Sequence, residues 1–314
     1  MYIRQMFAQK PCVFSIECFP PKQVENYEKM QKTLLRMGQL HPDFISVTYG
    51  AGGSAGGVSS VDIAAFLKNQ VGVEPLAHLI CMGNDRQSMT DTCDKLFAGG
   101  VQNILALRGD RSPLRAESPD FAHASDLAAF LRAHYGSFGI SGACYTEGHP
   151  EADTLAEDVE NLKKKAEAGV SHLITQLFFD NSKYYRFLNL ARKHGVDLPV
   201  SAGIMPIVKK NQIERTVALS SASLPAAFTK MVARYQDDEA ALYEAGIEYA
   251  VNQIRDLIEG GADGIHLYAM NNADVAEKRI KEAFCKMNQN EPIFLNLYIR
   301  DTESPCKNTN IVAN

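Results

Sequence analysis

The chain has 314 residues, is 46% hydrophobic and 22% charged, and carries a formal net charge of −5. These values fit a soluble globular protein with a sizeable core and argue against nucleic acid or an anionic membrane as the main partner. No apolar run approaches the roughly 18 residues of a membrane span. The start, MYIRQMFAQKPCVFSIE, lacks the apolar segment and cleavage site of a signal peptide. The seven cysteines include no C-x-x-C pair, so a reduced, cytoplasmic protein without structural zinc is expected.

Eight short apolar runs read as strands. They are CVFSIEC from 12, DFISVTY from 43, EPLAHLIC from 74, QNILALR from 102, FGISGACY from 138, SHLITQLF from 171, LPVSAGIM from 198 and DGIHLYA from 263. Near-continuous apolar character suits parallel strands buried on both faces. Helical spacing lies between them: over 84–98 behind an Asn84 cap, over 155–168, and around 225–236 and 238–259. The exits FAGGVQNIL, EAGVSHLI, KHGVDLPV and EGGADGIHL each place a glycine where a helix C-terminus takes positive φ. Eight βα units without a composition break predict a single-domain α/β protein, a (β/α)8 TIM barrel over 1–288. The tail 289–314 is expected to pack in part and then fray.

The stretch VTYGAGGSAGG at 47–57 contains G-x-G-x-x-A after a strand, the pattern of a dinucleotide turn. In such a turn the helix begins at about the second glycine, so that its N-terminus meets the phosphates. Here no helix can start before Ser59 or Ser60. The stretch therefore reads as a long βα loop on the rim of the barrel.

In a barrel, chemistry sits at the carboxyl ends of the strands. The polar residues there are Glu17, Thr48, Tyr49, His78, Arg108, Asp110, Tyr145, Glu147, His149, Gln176 and Tyr268. Glu17 interrupts an apolar strand before two prolines. It is either a partner of a nearby cation such as Arg108 or a desolvated carboxyl suited to general acid work. Arg108 and Asp110 in LRGD either neutralise each other or serve a site. His78 alone reads more readily as a satisfied core histidine, and Lys163–Lys165 as a solvated helix face or a reach toward phosphate. His149 and Glu151 lack a third ligand, so no metal is expected.

FSIECFPPK, FISVTYGAGG, AHLIC, LALRGD, ACYTEGHPEA, LITQLFFD and GIMPI, in this order over about residues 12–285, resemble the methylenetetrahydrofolate reductase family. The resemblance implies a TIM barrel that holds FAD and reduces 5,10-methylenetetrahydrofolate to 5-methyltetrahydrofolate with NADH or NADPH by a ping-pong hydride transfer. That reaction belongs to one-carbon metabolism and methionine biosynthesis. Glu17 would be the general acid, and Asp110 would tune the flavin and stabilise the substrate cation. The implied flavin set is Thr48, Tyr49, Ala51, His78, Arg108, Gly109, Asp110, Ala124, Tyr145, His149, Asp158, Asn161, Lys164 and Lys165. Gln176, Gln212 and Tyr268 would meet the substrate.

Three positions depart from the family pattern. Cys18 replaces an aromatic, Thr216 replaces a large apolar residue, and Asn272 stands where an arginine is common. With Asn272, the glutamate tail of the folate needs another cation, for which Lys278 and Arg279 are candidates. The sequence has no counterpart of the long regulatory region of eukaryotic members, so the short bacterial form is expected. The alternative is a flavin- or pterin-binding subunit that receives electrons from a partner protein. A flavin-free aldolase or methyltransferase barrel would need a strand-end lysine, and none occurs. No arginine is placed for a 2′-phosphate, which leaves NADH and NADPH open, as is homo-oligomer formation.

Overall fold

Each of the eight apolar runs forms a strand in the computed structural model, which describes residues 1–21, 23–49, 58–111, 116–213, 216, 222–277 and 283. The strands are β1 (Val13–Cys18), β2 (Phe44–Val47), β3 (Glu74–Ile80), β4 (Asn103–Leu107), β5 (Gly139–Cys144), β6 (His172–Thr175), β7 (Val200–Ile204) and β8 (Gly264–Leu267). They close into a barrel in chain order. All neighbours are parallel, and β1 meets β8 with Val13 opposite Gly264 and Ile16 opposite Leu267. The single-domain (β/α)8 expectation is borne out; residues 289–314 lie outside the described ones.

The helices follow from their ends. In chain order they are α1 (Ile3–Met6), α2 (Tyr27–Gly38), α3 (Ser60–Phe66), α4 (Arg86–Ala98), α5 (Ala124–His134), α6 (Leu155–Glu167), α7 (Asn181–Lys193), α8 (Ala226–Tyr235) and α9 (Glu239–Glu259). Ser59 caps α3 as expected, accepting from the Asp62 N–H at 3.1 Å. The cap of α4 is corrected from Asn84 to Asp85, whose Oδ1 accepts from the Ser88 N–H at 2.8 Å. Asn84 is spent elsewhere, its amide donating to the Ile80 carbonyl at 3.0 Å. The four helix exits carry Gly100, Gly169, Gly195 and Gly261 at φ of 78°, 115°, 79° and 79°, the conformation a side chain resists.

Alternation along the strands divides two cores. One face, with Ile16, Cys18, Ile45, Val47 and Ala77, packs in the large cluster shared with the helices. The other face fills the lumen. There Val13, Phe44, Leu76, Leu105 and Ile174 form one cluster with Ile3 and Met6 of α1, so this short helix stops the lower end. The Ile3 N–H donates to Asn103 Oδ1 at 3.0 Å and pins it there. Above this plug the lumen turns polar, with Ser15, Ser46, Ser141, His172, Ser201 and His266 all buried.

Candidate active site

The site grows upward from this polar layer. His266 is held between two serines, with Nδ1 2.7 Å from Ser15 Oγ and Nε2 3.2 Å from Ser46 Oγ. His172, on β6, is held the same way, 3.0 Å from Ser141 Oγ and 2.9 Å from Ser201 Oγ. Burial lowers the His172 pKa to about 3, so it is a neutral spacer at neutral pH. Each imidazole thus takes two hydroxyl partners, which answers the cost of burying its nitrogens.

One step further along β1 stands Glu17. Its Oε2 lies 3.8 Å from His78 Nε2 and 4.0 Å from His266 Nε2. His78 is buried, and its Nε2 has no hydrogen-bond partner among the described residues. Desolvation pulls its pKa down to about 4 against the opposing pull of Glu17, so the ring is neutral near pH 7. The reading of His78 as a satisfied core histidine is therefore corrected. Tyr268 covers His266 edge-on at 5.1 Å and 90°, and its hydroxyl donates to the Thr175 carbonyl at 2.8 Å.

The reading of Glu17 as a partner of Arg108 is overturned, as is mutual neutralisation of Arg108 and Asp110. Arg108 donates two parallel hydrogen bonds to Glu151, at 2.6 and 2.8 Å. That bidentate fit outcompetes a neighbour two residues away. It holds the Glu151 carboxyl down to about 2 and raises the guanidinium further. Asp110 stays exposed on the rim. Gly109 between them takes φ of 86°, with Ile80 and Met82 close to where a Cβ would stand.

A second group gathers where β5 runs into α6. Tyr145 packs edge-on against His149 at 4.8 Å, and Asp158 Oδ2 accepts from the His149 N–H at 3.0 Å. Burial raises the Asp158 pKa and lowers that of Lys165, each opposed by the charge of the other. Lys165 does not lie on the solvated face: its Nζ donates to the Ala143 carbonyl at 2.8 Å. Lys163 and Lys164 are exposed, and Lys164 Nζ donates to Asn161 Oδ1 at 2.9 Å.

The remaining expected residues are spread around the mouth. The Thr48 N–H donates to the Cys18 carbonyl at 3.0 Å, and the Tyr49 hydroxyl reaches Asn84 Oδ1 at 3.4 Å. Ala124 opens α5. Gln176 follows β6, its N–H bonded to the Cys144 carbonyl and its Oε1 accepting from the Leu177 N–H. Gln212, in the helical turn that begins at Lys210 after β7, accepts from the Val208 and Lys209 N–H groups, both at 2.9 Å. Ala51 lies outside the described residues, as do the rest of 50–57, Lys278 and Arg279. Sequence reasoning missed His266, the serines and Glu151 as a partner. A period-two signal existed: His266 precedes Tyr268 by two and Ser15 precedes Glu17 by two, which puts each pair on one face.

Fold and site together define a TIM barrel whose titratable groups gather at the carboxyl mouth around one carboxylate and two histidines. The methylenetetrahydrofolate reductase family model matches residues 2–284. The chain belongs to that family. It is 33% identical over 283 residues to methylenetetrahydrofolate reductase (NADH) 1 of Arabidopsis thaliana, covering 86% of this chain and 48% of that protein. It is 32% identical over 262 residues to 5,10-methylenetetrahydrofolate reductase of Escherichia coli (strain K12), covering 83% of this chain and 87% of that one. The chain thus spans about half the length of the plant relatives it matches. In fold it is similar to an uncharacterised Clostridium thermocellum protein that binds two copies of 5-methyl-5,6,7,8-tetrahydrofolic acid. That likeness has a TM-score of 0.61 at 14% identity, over 90% of this chain and 97% of that one.

Proposed function

We propose that this chain reduces 5,10-methylenetetrahydrofolate to 5-methyltetrahydrofolate, with bound FAD and with NADH or NADPH as donor in a ping-pong order. Glu17 carries the reading. Among the described residues it is the carboxylate that lies within 4.0 Å of the Nε2 atoms of both His78 and His266.

The residues present fit FAD. His78 offers a buried nitrogen without a partner among the described residues, and Gly109 brings backbone to the rim where a side chain would crowd Ile80. Thr48, Tyr49, His78, Gly109 and Tyr145 would hold the ring system. Arg108 and Lys164 supply positive charge for the diphosphate, and His149, Asp158, Asn161 and Lys165 frame that end. When bound, FAD supplies a two-electron carrier between nicotinamide and folate.

This chain's own residues do the proton work. Glu17 Oε2 delivers a proton as the five-membered ring of the substrate opens toward its iminium cation. His78, neutral near pH 7, sets no competing positive charge beside that carboxyl. His266, clamped by Ser15 and Ser46, holds its ring beneath Glu17 without freedom to turn. The charge of Asp110 at the rim stabilises the cation, and Gln176, Gln212 and Tyr268 orient the pterin and its tail.

An absorbance spectrum of the purified protein, followed by anaerobic NADH or NADPH and then methylenetetrahydrofolate, tests the reading. Flavin bands that bleach with the donor and return with the folate are expected. Bands that bleach only with an added electron-transfer protein would move the chain to the role of a partner-dependent subunit. A colourless protein that takes up no FAD would remove the reading altogether.

A further inference from the structure

Among the polar residues at the strand ends, Glu147 has no part in the proposed reaction. It follows β5, between Tyr145 and His149, yet its carboxylate reaches the segment that leads into α8. There Oε1 accepts from the Ser223 N–H at 3.0 Å, 76 residues away in the chain. Oε2 stands 3.9 Å from Lys183 Nζ in the first turn of α7, beyond hydrogen-bond length. The two ends of the Glu147–Ser223 bond are held unequally. On the β5 side, Asp158 takes the His149 N–H and His149 Nδ1 takes the Glu151 N–H, while Tyr145 packs against the His149 ring. That loop keeps its shape without Glu147. On the other side Ser223 is exposed, and α8 starts after Pro225 with no side-chain cap. Ala222 and Leu224, which flank Ser223, pack in a cluster with Phe179, Ile207 and Phe228. Leu177 and Ile213, next in the chain to Gln176 and Gln212, belong to the same cluster.

We infer that Glu147 is a positioning residue for the reaction. Through Ser223 it ties the loop that carries Tyr145 and His149 to the apolar cluster beside Gln176 and Gln212, and so fixes the two substrate-orienting glutamines relative to the flavin. Because folate and nicotinamide use that space in turn, the tie serves both. This inference rests on the proposed folate reductase function and adds to it a residue that acts through others.

The test compares Glu147→Ala, Glu147→Gln and the control Lys183→Met as holoenzymes. It measures KM and kcat for methylenetetrahydrofolate and for the nicotinamide donor, the FAD Kd, the 5-methyltetrahydrofolate Kd, and hydrogen exchange at the Ser223 amide by fragmentation mass spectrometry. Glu147→Ala should speed exchange at Ser223 and raise both KM values and the folate Kd roughly fivefold, with kcat and the FAD Kd near wild type. Glu147→Gln keeps an oxygen that accepts from the Ser223 N–H and should restore every readout. Lys183→Met should match wild type. Unchanged exchange in Glu147→Ala overturns the inference, as does faster exchange with both KM values unchanged. A rise in the FAD Kd overturns it too, because it would place Glu147 among the flavin contacts. Equal losses in Glu147→Gln and Glu147→Ala would make charge the cause and reject the bond to Ser223. Wild-type protein that binds the folate without reducing it would sink the functional reading, while exchange at Ser223 and the folate Kd ratio would still decide Glu147. Wild-type protein that binds no folate defeats both.

Discussion

Glu17 Oε2 and His78 Nε2 face each other at 3.8 Å across the mouth of the barrel, beyond hydrogen-bond length, and the histidine nitrogen has no other partner among the described residues. A protonated His78 would form an ion pair with Glu17. Burial prevents this by keeping the ring neutral. No ion pair therefore ties Glu17 to this histidine near pH 7. The orphaned nitrogen stays available to a ligand.

Glu17→Gln keeps the shape and removes the acid. Reduction of methylenetetrahydrofolate should fall by about 10² to 10⁴-fold, with the donor half-reaction near wild type. Stopped-flow measurement of the two half-reactions separates these, and an equal loss in both would mean that Glu17 serves something other than proton delivery.

Acid should weaken the fold through its buried histidines. His78 and His172 have folded pKa values of about 4 and about 3, below the ordinary 6.5 of an unfolded chain. Between those values the unfolded chain takes up protons that the folded one refuses. Stability is therefore full above pH 6.5 and falls as the pH drops toward 4, by roughly 3 kcal/mol for each histidine. Urea unfolding at pH 7.5, 6 and 5 reads the slope directly. His78→Leu should reduce that slope by up to about 1.4 kcal/mol per pH unit; an identical slope would falsify the assignment.

The Arg108–Glu151 pair is half open to solvent, with side-chain exposures of 19% and 44%. Glu151→Ala should therefore cost less than about 1 kcal/mol of stability. Its effect should appear in flavin affinity, since the freed guanidinium loses its seat at the rim. A several-fold rise in the FAD Kd is expected in a fluorescence titration, and an unchanged Kd would show that Glu151 does not position Arg108 for the cofactor.

Gly203 lies where β7 passes β6 and β8. A Cβ there would stand 2.4 Å from the Thr175 carbonyl oxygen and 2.7 Å from Tyr268 Cε2. Gly203→Ala should displace the tyrosine that covers His266 and destabilise the barrel by about 1–3 kcal/mol. Thermal unfolding measures the cost and folate KM the displacement; a variant with both unchanged would show that the ring is free to move.

The barrel is legible in the sequence because strands buried on both faces must be apolar throughout and helix exits must turn through positive φ. Those demands are local, and FAGGVQNIL or EGGADGIHL meets them without reference to distant residues. Glu17, His78 and Tyr268 are legible for a related reason: each is a polar break in an apolar run. The α1 plug is not, since four residues carry no periodicity and gain their burial only from the lower end of a closed barrel.

The sequence by itself determines which residues reach the mouth, because strand alternation and chain order leave little choice. Only the tertiary structure decides who partners whom there. Arg108 passes over Asp110, two residues away, for Glu151, 43 residues away, because side chains pair by direction and fit rather than by sequence distance. Ser15 finds His266 across 251 residues because β1 and β8 become neighbours when the barrel closes. Lys165 differs from Lys164 in the same way. One position along the helix turns its amine from solvent onto the Ala143 carbonyl, a distinction that a run of three lysines cannot express.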